Sequence, residues 1–131
     1  MPAGLYSFTI EQGTTVDFRI QYNDSQESPI DLTNYHARMQ IRKTYNGEIY
    51  ADLSSSLYSD GTGLNMTPYS ASIQLPKSSG SLQIYISAAT SSTFNFDSAF
   101  YDIEIVSGSN SNDYVKRILE GKIKVRREIT K

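Results

Sequence analysis

FYDIEIVSGSNSNDYVKRILEGKIKVRREI, residues 100–129, decides the fold. Tyr101, Ile103 and Ile105 alternate with Asp102 and Glu104, the period-2 pattern of a strand with one buried face. Gly108, Ser109, Asn110, Ser111, Asn112 and Asp113 follow, residue types that tolerate the backbone angles of a reversal. The return limb places Val115, Leu119, Gly121, Ile123, Val125 and Ile129 on one parity. Lys116, Glu120, Lys122, Lys124, Arg126 and Glu128 fall on the other. Two long limbs joined by a polar loop predict an antiparallel hairpin. The parity is imperfect, with Arg117 and Arg127 inward and Ile118 outward, so a strand end or a bulge is expected, and Gly121 is a candidate for the bulge.

Working back towards the N-terminus, alternation recurs at short intervals. Residues 5–10 place Tyr6, Phe8 and Ile10 on one face, and Gln12-Gly13 turns the chain. Residues 15–22 form the clearest strand, with Val16, Phe18, Ile20 and Tyr22 inward, so Phe18 is expected to be buried. A polar, acidic loop over 23–28 is closed by Pro29, and the corner that follows returns Ile30 and Leu32 to the core. Residues 36–43 bury Ala37, Met39 and Ile41, and Asn46-Gly47 reverses the chain into a partner strand over 48–53, a second hairpin. Short strands are expected at 64–67 and 70–75, limited by Pro68 and Pro76, then a loop over 77–80 and a strand over 82–86. Ser87 can cap a single helical turn, at most one, near residues 88–94. The expectation is an all-β chain, one domain over residues 1–131, folded as an antiparallel β-sandwich of immunoglobulin-like or jelly-roll-like type.

Composition narrows the classes of function. The 131 residues include ten Tyr and five Phe, which suit strands, and neither Trp nor Cys. Disulfides and thiolate metal sites are therefore excluded. The net charge is −2, so no global field draws the chain to nucleic acid or membrane, and neither is an expected partner. Charge is unevenly placed: from Lys116 onward seven Lys or Arg stand against two Glu. No signal peptide or membrane-spanning stretch is visible, and a soluble protein is expected.

Few residues invite a chemical role. His36 is the sole histidine and lacks a recognisable nucleophile or orienting acid, so it reads as a corner histidine. Asp24, Glu27 and Asp31 share one loop, and Asp60-Gly61-Thr62-Gly63 resembles part of a calcium loop, but neither has dense alternating carboxylates; both read as solvated turns. Asp102 and Glu104 lie about 7 Å apart along a strand, within reach of a glycosidase pair. The preferred reading is cross-strand pairing with Lys116 or Lys122. No phosphate-cradling glycine loop is present. No catalytic, cofactor-binding or metal residue is assigned, and no cofactor is expected. Tyr45, Tyr50, Tyr58, Tyr69 and Tyr85 are candidates for stacking on sugars.

Six segments spread over nearly the whole chain are Gly4-Leu-Tyr-Ser-Phe-Thr-Ile-Glu-Gln-Gly-Thr-Thr15, Pro29-Ile-Asp-Leu-Thr-Asn-Tyr35, Ala37-Arg-Met-Gln-Ile-Arg42, Ile86-Ser-Ala-Ala-Thr90, Tyr101-Asp-Ile-Glu-Ile-Val106 and Arg117-Ile-Leu-Glu-Gly-Lys-Ile-Lys-Val125. Together and in this order they resemble small tail-associated structural proteins of tailed bacteriophages, of the baseplate or fibre-attachment type. The resemblance implies a virion structural protein of the tail or baseplate, soluble in the host cytoplasm before assembly, with no catalytic residues. Its partners would be other tail proteins, copies of itself, or both. Such relatives continue into a fibre or receptor-binding region, and with none visible in these 131 residues an assembly role is the expectation rather than host recognition. Lys122, Lys124 and Arg126 share one strand face and are the candidate assembly surface. The alternative is a carbohydrate-binding β-sandwich module that uses its exposed tyrosines.

Overall fold

The structure, a computed structural model, describes residues 4–24, 26–44, 47–107 and 114–127. Among these residues eleven strands are formed: β1 Gly4–Leu5, β2 Phe8–Glu11, β3 Val16–Gln21, β4 Tyr35–Arg42, β5 Ile49–Ser54, β6 Gly63–Asn65, β7 Tyr69–Ser70, β8 Ile73–Gln74, β9 Ser81–Ile86, β10 Ser98–Ser107 and β11 Tyr114–Arg126. The larger sheet runs β1-β11-β10-β4-β5, with β2 also paired to β11; the smaller runs β3-β9-β6. This is an all-β sandwich. With β3, β9 and β6 as strands B, E and D, and β11, β10, β4 and β5 as G, F, C and C′, the order is that of an immunoglobulin-like variable-type domain rather than a jelly roll.

The core follows from the alternation. Ala37, Met39, Ile41, Tyr101, Ile103 and Ile105 from the larger sheet are buried against Leu64, Leu82, Ile84 and Ile86 from the smaller. Leu32 closes the core from the β3–β4 connection, as expected for that corner. Both expected hairpins form. β10 pairs antiparallel with β11, and β4 with β5. Residues 108–113, Asn46 and the candidate sugar-stacking Tyr45 lie outside the described residues.

Five local expectations are corrected. The bulge in the long hairpin is at Ile118, where the register steps from Ile103↔Leu119 to Glu104↔Arg117. The extra residue exchanges the two faces: Ile118 turns in and is 8% exposed, Arg117 turns out, and Val115 is 40% exposed. The N-terminal segment is two short strands, both parallel to β11, so the sandwich is not purely antiparallel. Tyr6, between them, shares the face of Phe8 as expected, its ring stacked at 5.7 Å, and stays 46% exposed. Residues 70–75 form no single strand, because β7 and β8 fold back on each other through Ala71, which has φ 56°. Phe18 is half-buried, since β3 is an edge strand of the narrow sheet and its rim stays open to water. The short helix α1, Ala88–Ser91, is the expected turn, capped by Ser87, whose Oγ accepts from the Thr90 N–H. A 3-10 turn, Lys77–Ser79, stands where a loop was expected.

Candidate functional site

The outer face of the larger sheet collects the polar side chains in rows set by strand register. Odd residues of β4 and β10 point into the core, so Arg38, Gln40, Arg42, Phe100, Asp102 and Glu104 point out. One row is Arg42, Phe100 and Lys122, the next Gln40, Asp102 and Glu120, the third Arg38, Glu104 and Arg117. Between the first two rows opens a groove of about 540 Å³, with Leu5 on its wall.

The second and third rows are ion-paired with each other, three carboxylates against two guanidiniums. Arg117 Nε lies 3.1 Å from Asp102 Oδ2, and its other nitrogens lie 3.8 Å from Glu104 and 3.5 Å from Glu120. Arg38 Nε meets Glu104 Oε1 at 2.8 Å. The expected pairing of Asp102 and Glu104 with Lys116 or Lys122 is replaced, because the bulge turned Arg117 outward between them. Lys116 instead lies over the Tyr22 ring, 5.8 Å from its centroid. Partial burial, and next the Glu104 charge, push the Asp102 carboxyl above the ordinary range, although Arg117 opposes the shift.

The first row has cations without carboxylates. Arg42 Nε and Nη2 donate to Gln40 Oε1 at 3.0 and 2.7 Å, and Nη1 donates to the Gly47 carbonyl at 3.3 Å. These acceptors are neutral, and among the described residues no carboxylate is ion-paired with the guanidinium. Lys122 Nζ lies 5.5 Å from the Phe100 centroid, a cation–π contact. Further along β11, Lys124 is exposed and makes no ion pair among the described residues. Arg126 is held by Glu11 at 3.2 Å. The candidate surface Lys122, Lys124 and Arg126 thus lies on one face, as its parity requires, with Arg126 engaged in the pair. Sequence reasoning omitted Arg42 and Arg117. Ile118 on a charged parity was the available signal for Arg117, because a bulge placed there moves it outward.

The remaining candidates separate. His36 is exposed at the start of β4, opposite Val106. Asp60, in the segment resembling a calcium loop, is a hydrogen-bond acceptor: its oxygens take the Thr62 N–H at 3.0 Å, Ser87 Oγ–H at 2.6 Å and Thr90 Oγ1–H at 3.1 Å. Those bonds, Ser87 first, hold its pKa far below the usual carboxylate range. The loop therefore anchors the cap of α1. Among the described residues no group of three His, Cys, Asp or Glu is placed to hold a metal ion, and no helix is long and apolar enough to cross a membrane. Tyr58 and Tyr69 are exposed, Tyr85 is half-buried, and Tyr50 is stacked on Phe96 at 4.1 Å. Tyr58 is further tied down by its hydroxyl, which donates to the Asp52 carbonyl.

No protein-family model matches the sequence, and no curated protein sequence is significantly similar to it.

Proposed function

We propose that this protein is a structural component of a bacteriophage tail or baseplate that works by protein–protein contact. The observation that carries the contact half of the reading is the outer face of the larger sheet. There a groove, an exposed Leu5 and the uncompensated cations Arg42, Lys122 and Lys124 lie side by side. Apolar surface beside charge of one sign is what a partner of opposite charge covers. The tail half rests on the sequence segments that resemble tail-associated proteins. Reversing Lys122, Lys124 and Arg126 to Glu is expected to leave the fold intact and to lower incorporation into virions, read by quantitative mass spectrometry of purified particles. Normal incorporation of the reversed protein would remove this face from the assembly, and absence of the wild-type chain from virions would remove the tail reading.

A carbohydrate-binding module is the second reading, supported by the exposure of Tyr58 and Tyr69. It has lost Tyr50 to the stack with Phe96. A glycan array with wild type and with Tyr58→Ala/Tyr69→Ala separates the two: signal lost in the double variant favours the module.

A further inference from the structure

Two clusters of charge that carry no ion pair among the described residues lie at opposite ends of the sandwich. Strand β4 links them. It leaves the β3–β4 connection at Tyr35, paired with Ser107, and ends at Arg42, paired with Phe100. Seven residue steps at strand rise separate the two ends by about 23 Å.

At the Arg42 end, Arg42, Lys122 and Lys124 have no carboxylate partner among the described residues, and Lys43 is exposed beside them. Glu48, in the adjoining turn, is ion-paired with none of them. At the Tyr35 end, the β3–β4 connection exposes Asp24, Glu27 and Asp31. Asp24 Oδ1 accepts the N–H groups of Gln26 and Ser28 at 2.9 and 3.0 Å, and Asp31 accepts the Thr33 N–H at 2.9 Å. Among the described residues none of the three carboxylates has an ion pair. Two lysines that touch the segments flanking this connection are engaged elsewhere: Lys77 donates to the Tyr35 carbonyl at 3.4 Å, and Lys116 lies over the Tyr22 ring. A separation of about 23 Å is more than twice the screening length at physiological ionic strength, so the clusters cannot offset each other within one molecule.

We propose that a second copy of this chain supplies the missing charge: the acidic β3–β4 connection of one molecule seats at the Arg42–Lys122 groove of the next. The observation that fixes the occupant is charge complementarity between two ends of the same molecule. Such a contact is head-to-tail. The two patches differ and every pair formed keeps one of each free, so association continues until a ring closes or a filament grows. Apolar contribution comes from Leu5, 81% exposed on the groove wall. This inference rests on the assembly reading above and narrows its partner to the chain itself.

The test uses purified protein and two charge-reversed variants. The groove variant is Lys122→Glu/Lys124→Glu, which leaves the Arg42 hydrogen bonds in place. The loop variant is Glu27→Lys/Asp31→Lys, with Glu27→Lys alone as a version that disturbs no turn. Circular dichroism and thermal melting confirm that each is folded. Sedimentation velocity then reads the mass at low salt, roughly 20 mM, and at high salt, roughly 0.5 M, where the screening length falls to a few ångströms. The expected result has four parts. Wild type associates at low salt and dissociates at high salt, and each variant alone associates roughly tenfold more weakly or less. An equimolar mixture recovers association, because the reversed groove of one meets the reversed loop of the other. A chain carrying both reversals also self-associates. A wild type that stays monomeric at low salt overturns the inference, as do variants that associate normally or a mixture that does not recover. These outcomes are independent of virion incorporation, so a monomeric protein still found in particles leaves the assembly reading standing with a different partner.

Discussion

At Gly121 a Cβ would sit 2.0 Å from the carbonyl oxygen of Tyr6, so the N-terminal segment crosses β11 where only glycine admits it. That carbonyl accepts the Tyr101 hydroxyl at 2.6 Å, and the Tyr6 N–H donates to Glu120 O at 2.9 Å. Burial pushes the Tyr101 phenol well above its ordinary pKa, so the hydroxyl keeps its proton and donates at any physiological pH. Gly121→Ala is expected to cost about 1–3 kcal/mol by overpacking, measured by denaturant unfolding. Tyr101→Phe should cost about 1–2 kcal/mol by leaving that carbonyl short of a donor. The glycine was legible as special, but its reason was not: a bulge and a close backbone approach leave the same mark in a sequence. Asp60 gives the pH-dependent case. Its folded pKa is depressed, so the native state binds fewer protons than the unfolded state. Its contribution is therefore complete above the unfolded carboxylate value, about 4, and is lost as pH falls below it towards the folded value. Asp60→Asn is expected to lower Tm by a constant margin from neutral pH down to about 5, a margin that narrows below about 4. A margin that held constant down to the acid limit would show that Asp60 does not act through its charge.

Among the elements, β11 shows where period-2 reading succeeds and where it fails. The alternation of Ile123 and Val125 with Lys122 and Lys124 was legible and correct. Upstream of the bulge the parity inverts, and no rule of alternation could assign Val115 and Arg117 without locating the extra residue. The apolar Ile118 on a charged parity is the trace of that residue. Ile118→Ala should therefore behave as a core truncation and cost about 2–4 kcal/mol, whereas Val115→Ala should cost under about 1 kcal/mol. Equal costs would place the register step elsewhere. Strand β3 gives the converse case. Its pattern is uninterrupted, yet Phe18 is half-buried, because alternation reports which face is apolar and not how wide the covering sheet is. The Phe18 ring still meets Phe8 at 5.0 Å and Tyr6 at 5.6 Å between centroids, so Phe18→Ala is expected to cost about 2–3 kcal/mol, below the range of a fully enclosed phenylalanine. Denaturant unfolding reads this value directly.

For the whole molecule, the two-layer architecture was legible because each strand carries its own face pattern, a local property. The parallel seating of β1 and β2 on β11 was not, since it joins the two ends of the sequence and no local pattern records a partner that distant. The candidate site divides in the same way: parity placed Lys122, Lys124 and Arg126 on one face, while Arg42 reaches the groove only through the order β11-β10-β4. That order also sets how stability is distributed. Strand β10 pairs on both sides along its length and contributes Tyr101, Ile103 and Ile105 to the core, so its amides open only when the sandwich opens. Strands β3 and β6 each have one free edge, and the β7–β8 pair is a ribbon of two-residue strands whose Tyr69 and Ile73 face solvent. A two-stranded ribbon has little stability of its own. Native-state hydrogen exchange is therefore expected to be slowest at Ile103 and Ile105, faster in β3, and fastest in β7 and β8, with β10 exchanging at the free energy of global unfolding. Protection in β7 and β8 equal to that of β10 would mean that the ribbon is part of the cooperative unit, and that the smaller sheet is braced more strongly than its hydrogen bonds indicate.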